Sequence, residues 1–287
     1  MSNMSACLSA TRRKGFTMLE IVIVIGIVVA LAAILFGVVS KAVDASRRTS
    51  CLNKLHALST ALFAYSSDNR GALPGGAMGA PRPPPPPAIP DDDGGRLEDW
   101  IWWQSFRLDK VGQGGIGKYM KLSSDPHDLA ALQCPADDLA RQKLAWAGGR
   151  YPFSYVLNGM MASTHNTGGS KMARTVADIK DPQEKILFYE EDPRMMEDGN
   201  GDLVPQASPD GLGTELICLR HDGIKASADR LNSGATTPGV PRVPSLTASG
   251  NVAFCDGHAG TLTRAEAHSR LHFAPDSGIP PWTAATP

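Results

Sequence analysis

The side chains best suited to chemistry are few and far apart in the chain. His221, Asp222, Asp256 and His258 could converge as metal ligands if a strand over residues 215–219 pairs with one over 251–255. His268 and His272 stand four residues apart, a helix-face spacing, but the intervening Ser-Arg-Leu lacks the glutamate of a zinc protease. None of Cys7, Cys51, Cys134, Cys218 and Cys255 falls in a CxxC pair, which argues against zinc. Asp198-Gly199-Asn200-Gly201-Asp202 sets oxygen donors at alternate positions, as a calcium loop begins, and Glu190-Glu191-Asp192 precedes it. An EF-hand needs Gly at position six and Glu at twelve, where this chain has Leu203 and Pro209. The segment is read as a solvated acidic turn, with calcium on Asp198, Asn200 and Asp202 as the alternative. There is no G-x-S-x-G nucleophile motif and no phosphate-binding glycine loop. Lone histidines are more often structural, and Asp256-Gly257 already reads as a turn. The expectation is therefore a non-enzyme. A metal-dependent enzyme using His221, Asp256 and His258 is the minor alternative.

The elements that would position these groups follow from pattern. Strands are expected over 153–157, 185–189, 215–219, 251–255 and 259–263. Asp256-Gly257 between the last two predicts a hairpin with a type I′ turn. Trp100, Trp102 and Trp103 are expected to anchor a core. Residues 71–95 include five consecutive prolines, Pro83 to Pro87, followed by Asp91-Asp92-Asp93, and read as an extended linker. Leu52, Leu55, Leu58, Leu62 and Tyr65 recur at three- and four-residue intervals, one apolar helix face. The fold class expected is α+β: a long N-terminal helix packed on a mainly antiparallel sheet. With 20% charged residues and a formal net charge of −1, the 287-residue chain shows no global bias toward nucleic acid.

One block stands apart. Residues 16–40 are continuously apolar, with Glu20 as the only ionisable side chain. As helix they measure roughly 37 Å, enough to cross a hydrocarbon core of about 30 Å. Arg12, Arg13 and Lys14 precede the block with no offsetting acid, which places the N-terminus in the cytoplasm and the rest of the chain across the membrane. A cleaved secretory signal would have a shorter core and a small-residue site after it. Here the block runs directly into Lys41 and the amphipathic face. Continued through residue 67, the helix would be roughly 78 Å long.

The junction Arg13-Lys14-Gly15-Phe16-Thr17-Met18-Leu19-Glu20 resembles the prepilin peptidase site of type IV pilins and type II secretion pseudopilins. The resemblance implies cleavage after Gly15, N-methylation of Phe16, and retention of the apolar block. It also implies that Glu20, fifth in the mature chain, meets the free amine of a neighbouring subunit. A carboxylate within a span costs on the order of 3 kcal/mol by insertion scales, so it is normally kept for a purpose. Gly37 stands where many pilins carry a helix-loosening proline. The remainder resembles prepilin-like proteins with an H-x9-DG signature. The matching pieces are Ser50-Cys51-Leu52-Asn53 with Tyr65 and Asp68-Asn69, Cys134-Pro135-Ala136-Asp137, Tyr155 with Asn158-Gly159, and Asp181-Pro182 with Ile186-Leu187-Phe188. Asn251-Val252-Ala253-Phe254 before Asp256-Gly257-His258 completes them. With His221 as the signature histidine, a Ser/Gly/Pro-rich insertion around 226–249 lengthens its distance to Asp256.

On this reading the organisation is leader 1–15, transmembrane half-helix 16–40, amphipathic half-helix 41–69, linker 70–99 and head 100–287. Loss of Cys7 with the leader leaves four cysteines, an even number in an oxidising compartment. The pairing expected is Cys51–Cys134 and Cys218–Cys255, one of three possible connectivities, with free thiols as the alternative. The implied function is a structural subunit of a pilus or secretion pseudopilus. Its implied partners are prepilin peptidase, other pilin subunits, an inner-membrane assembly platform and lipid. A signal-anchored periplasmic binding or adhesion domain is the alternative. No cofactor beyond the calcium alternative is expected.

Overall fold

A computed structural model of the chain describes residues 15–77, 99–103, 108–137, 151–162, 173–193, 195–196, 198–201, 203, 215–223 and 246–276, with the backbone alone at Phe36 and Gly37. Most of the leader, the proline run, Asp202 and the bulk of the insertion after Gly223 lie outside these residues. The chain divides into two compact units, Met1–Ala45 and Ser46–Pro287.

The first unit holds the N-terminal part of helix α1 (Met18–Asp68). It is long and apolar enough to cross a membrane, and its apolar window is unburied. Ile, Val and Leu run round its whole circumference, so no single stripe distinguishes a core side.

In the second unit the same helix becomes amphipathic. Cys51, Leu55, Leu58, Ser59, Leu62 and Ser66 are buried at helical spacing, while Asn53, His56 and Thr60 face solvent. Leu52 and Tyr65, expected on the apolar face, sit at its half-buried flanks. This stripe covers a five-stranded sheet in the order β3-β1-β2-β4-β5. The strands are β1 (Tyr155–Asn158), β2 (Ile186–Glu190), β3 (Asn200–Gly201), β4 (Ser249–Phe254) and β5 (Ala259–Thr263). Only the β1–β3 pairing is parallel. The fold is thus α+β, a long helix on a mainly antiparallel sheet.

Every residue of β1 and β2 is buried, which suits their continuous apolar runs better than a one-faced alternation would. Trp100, Trp102 and Trp103 are core residues. The Trp100 indole donates to Gly199 O at 2.6 Å and that of Trp103 to Ala77 O at 2.9 Å. Those bonds draw in the described ends of the segment read as linker. Leu73 and Ala77 are buried, and Gly75 bridges Asp99.

Two sequence expectations about the sheet are corrected. Residues 215–219 form no strand; Ile217 makes an isolated bridge to Glu191, beside β2. The β4–β5 hairpin is not type I′, because of its two central residues only Gly257 has a positive φ, at 96°. Gly257 N donates to Phe254 O and Phe254 N to His258 O, so the loop has three residues, a turn closed by a left-handed glycine. His268 and His272 also part company. The first caps α2 (Arg264–Ala267) and the second lies in α3 (Arg270–Phe273), so no single helix carries both.

Candidate functional site

Four side chains from four segments meet where α1 crosses the end of β2. Their ligand atoms, on Cys51, Cys134, Glu190 and His221, all lie within 4.8 Å of one another. Each is placed by local structure. Cys51 begins the buried row of α1. Cys134 follows a 3-10 turn whose carbonyls at Ala130 and Gln133 both accept from Lys54 Nζ at 2.7 Å, fastening that loop to the helix. Glu190 ends β2 opposite Tyr155 of β1. His221 is carried by the segment whose Cys218 N donates to Glu190 O at 2.7 Å.

The contacts within the cluster are short, and Cys51, Cys134 and Glu190 are buried. Cys134 Sγ lies 3.2 Å from His221 Nε2, which in turn lies 3.4 Å from Glu190 Oε1. Ala136 N donates to Cys134 Sγ, and Asn251 Nδ2 donates to Glu190 Oε1. Arg220 forms the wall, pairing with Asp137 at 2.8 Å and donating to Cys218 Sγ and Glu191 O. Ser154 Oγ joins Asp137 to the Cys134 backbone. Burial alone would raise the Glu190 carboxyl; the hydrogen bond from His221 and the Arg220 charge hold it below its usual range. Burial opposes charge on His221, yet its bonds to Cys134 and Glu190 lift it to about 9. Between the two thiols, the hydrogen bond from Cys51 pulls Cys134 down to about 6 and pushes Cys51 up. Proton loss is thus favoured at Cys134 and proton retention at His221. Such a set can close a disulfide when an external thiol oxidant accepts the two electrons, or exchange its protons for a cation.

Of the residues flagged in the sequence, the fold gathers some and separates others. All four described cysteines are free thiols. Cys51 and Cys134 are neighbours, but Cys218 and Cys255 are not. Cys218 N bonds Glu190 O at one end of β2, and Cys255 N bonds Lys185 O at the other. Five strand residues separate them by about 16 Å, well beyond the roughly 7 Å limit for bridged Cα atoms. The Cys218–Cys255 pairing is therefore set aside. The trio His221, Asp256 and His258 is dispersed for the same reason. His221 sits at the Glu190 end of β2, whereas Asp256 and His258 lie past Phe254, which pairs with Ile186. Asp256 instead forms an exposed contact with His258, whose ring stacks on Phe254.

The acidic run is not solvated. Glu190, Glu191 and Asp192 are buried, and Asp192 pairs with the buried Arg264 at 3.0 Å. Asp198 Oδ1 accepts from Asn200 N at 2.8 Å, a local turn leading into β3. The third calcium candidate, Asp202, lies outside the described residues. Glu190 was the member that sequence reasoning missed; an acid ending an otherwise apolar strand was its only signal. The described flanks of the insertion are tied together, with Ser249 N donating to Asp222 Oδ2 at 3.0 Å.

At the other end of the chain, Phe16 is exposed and Thr17 caps α1. Thr17 N and Oγ1 both donate to Glu20 Oε2, at 2.8 and 2.9 Å, and Glu20 N donates back to Thr17 Oγ1. This is a reciprocal capping box.

Comparison with curated proteins gives no match, and no solved structure matches either. Residues 40–266, a span containing the whole cysteine–histidine–glutamate cluster, match the model of a family described as "Protein of unknown function (DUF1559)", and the chain belongs to that family.

Proposed function

We propose that this chain is a pilin-like structural subunit, cut by prepilin peptidase after Gly15, N-methylated at Phe16, and assembled through its N-terminal helix into a pilus or secretion pseudopilus. The observation that carries the reading is the pairing of the Arg13–Glu20 junction with the helix behind it. From Met18 to Val43 the described large apolar side chains of α1 are exposed on every side, a surface that water cannot satisfy and that lipid or identical helices can. A membrane-stored subunit needs such a helix, and a filament gives it a second partner. The family description carries no activity, and the reading does not require one.

Glu20 has a defined task before assembly, since it completes the cap on its own helix. In a filament the same carboxylate would exchange the Thr17 donors for the methylated amine of a neighbour, setting register between packed helices. The head would then lie on the far side of the inner membrane.

The test is the intact mass of the membrane-extracted protein after co-expression with its native prepilin peptidase. The expected product lacks residues 1–15 and carries one extra methyl group. An uncut chain would favour a signal-anchored binding domain, and a cut beyond Ser40 a secreted one.

A further inference from the structure

We propose that Cys51, Cys134, Glu190 and His221 form a structural zinc site that fastens the middle of α1 to three separate segments of the head. The ligand set is of the right kind: two sulfurs, an imidazole nitrogen and a carboxylate oxygen are donors Zn²⁺ takes in four-coordinate sites. Bonds of about 2.3 Å to sulfur and about 2.0–2.1 Å to nitrogen or oxygen put the edges of such a tetrahedron at roughly 3.3–3.8 Å. The sulfur–nitrogen contact of 3.2 Å and the nitrogen–oxygen contact of 3.4 Å approach those edges, and the whole set fits within 4.8 Å. On loading, the 3.2 Å contact would lengthen by a few tenths of an ångström, and pairs as far apart as 4.8 Å would close by up to about 1 Å.

The surroundings also suit a closed site. Ala136 N–H points at Cys134 Sγ, the kind of donor that steadies a metal-bound thiolate, and Asn251 orients the Glu190 carboxylate. Arg220 does not repel the ion unopposed, because Asp137 pairs with it at 2.8 Å. Loading exchanges protons for the ion: Zn²⁺ enters as Cys51, Cys134 and His221 give up the protons they carry, leaving two thiolates, a neutral imidazole and the Glu190 carboxylate around it. All four positions are filled from the protein, so the site is structural, with no open position for a substrate. The absence of CxxC spacing does not weigh against it, because the fold supplies the ligands from distant segments.

A disulfide between Cys51 and Cys134 is the competing use of the same sulfurs. It would consume two donors and leave His221 and Glu190 with no shared partner.

The experiment uses the full chain, extracted in detergent without added metal, one portion under reductant for metal analysis and one with a thiol-blocking reagent and no reductant for peptide mapping. Elemental analysis is expected to give one zinc per chain. Replacement by Co²⁺ is expected to produce thiolate-to-cobalt charge-transfer bands and the intense d–d bands of four-coordination. Chelation should lower the melting temperature and added zinc should restore it. Cys134→Ser and His221→Ala should each lose the cobalt spectrum, whereas Cys255→Ser should keep it. Should the ligand variants fail to fold, the wild-type cobalt spectrum alone decides. Zinc-free protein with Cys51 and Cys134 joined in non-reducing peptide maps would overturn the proposal, and so would free thiols with no cobalt spectrum. Neither result bears on processing at Gly15, so this inference and the proposed function stand or fall separately.

Discussion

Helix α1 is two different solvents' worth of sequence on one backbone. Over 18–45 its described large apolar side chains are exposed all round. Over 46–68 a single stripe through Cys51, Leu55, Leu58 and Leu62 is buried, while Lys54 and His56 bond to head carbonyls and the exposed Thr60 returns its hydroxyl to His56 O. The backbone hydrogen bonding is the same in both. The difference is amphipathicity, which decides whether a helix can be satisfied by one sheet or needs an apolar surround. The second part therefore derives its stability from packing, and the first only from whatever medium receives it.

The comparison is broken most directly by placing a charge in each part. Leu58→Asp buries an unpaired carboxylate in the core and should abolish cooperative unfolding of the head, as followed by near-UV circular dichroism. Leu58→Ala is the milder form, expected to cost about 2–5 kcal/mol through the cavity it leaves. Val28→Asp should leave the head's melting curve unchanged and shift the protein out of the membrane fraction. Equal damage from both carboxylates would refute the division.

Next in size is the buried pair inside the head. Arg264 is fully buried, donates through Nε to Ile217 O and pairs with Asp192 at 3.0 Å. Asp192→Ala removes that counter-charge and should destabilise the head by about 3–5 kcal/mol in chemical denaturation. A loss below about 1 kcal/mol would mean that the guanidinium keeps its charge satisfied without Asp192.

How much of this was legible depended on whether the signal was local. The apolar block, the helix running past residue 65, and the strand 259–263 came straight from periodicity and turn residues, because each is dictated by neighbours in sequence. The hairpin is legible in Asp256-Gly257 but its turn type is not, since Asp-Gly fits two geometries and the choice lies in strand register. Residues 215–219 carry strand propensity but have only one bridge partner, because β2 is already paired on both sides by β1 and β4. The candidate site shows the limit most clearly. Cys51, Cys134 and His221 all stand out in the sequence, yet nothing in it groups His221 with Glu190 rather than with Asp256 and His258. Only the tertiary arrangement distinguishes the two ends of β2.

A smaller perturbation probes the hairpin that packs against α1. Gly257 adopts φ 96°, and a Cβ there would meet only the Phe63 ring at 3.6 Å, an ordinary contact. Gly257→Ala should therefore cost about 1 kcal/mol from backbone strain alone. Thermal unfolding should show a modest downward shift with membrane partition unchanged. A much larger loss would mean that the His56–Gly257 carbonyl contact at 2.7 Å had broken as well.

The smallest effect on the isolated chain belongs to the cap at the other end. Thr17→Ala removes the hydroxyl that receives Glu20 N and one of the two Thr17 donors to Glu20 Oε2, leaving the carboxylate itself in place. Fraying should be confined to the first turn, seen as faster amide exchange at Met18 to Glu20 in detergent micelles, with the head's melting temperature unmoved. Glu20→Ala should fray the same turn. The two variants part in assembly: if Glu20 acts on a neighbouring subunit, Thr17→Ala enters filaments normally and Glu20→Ala does not. If both are excluded equally, the cap rather than the charge is what assembly reads. If both enter, Glu20 is a helix cap and nothing more.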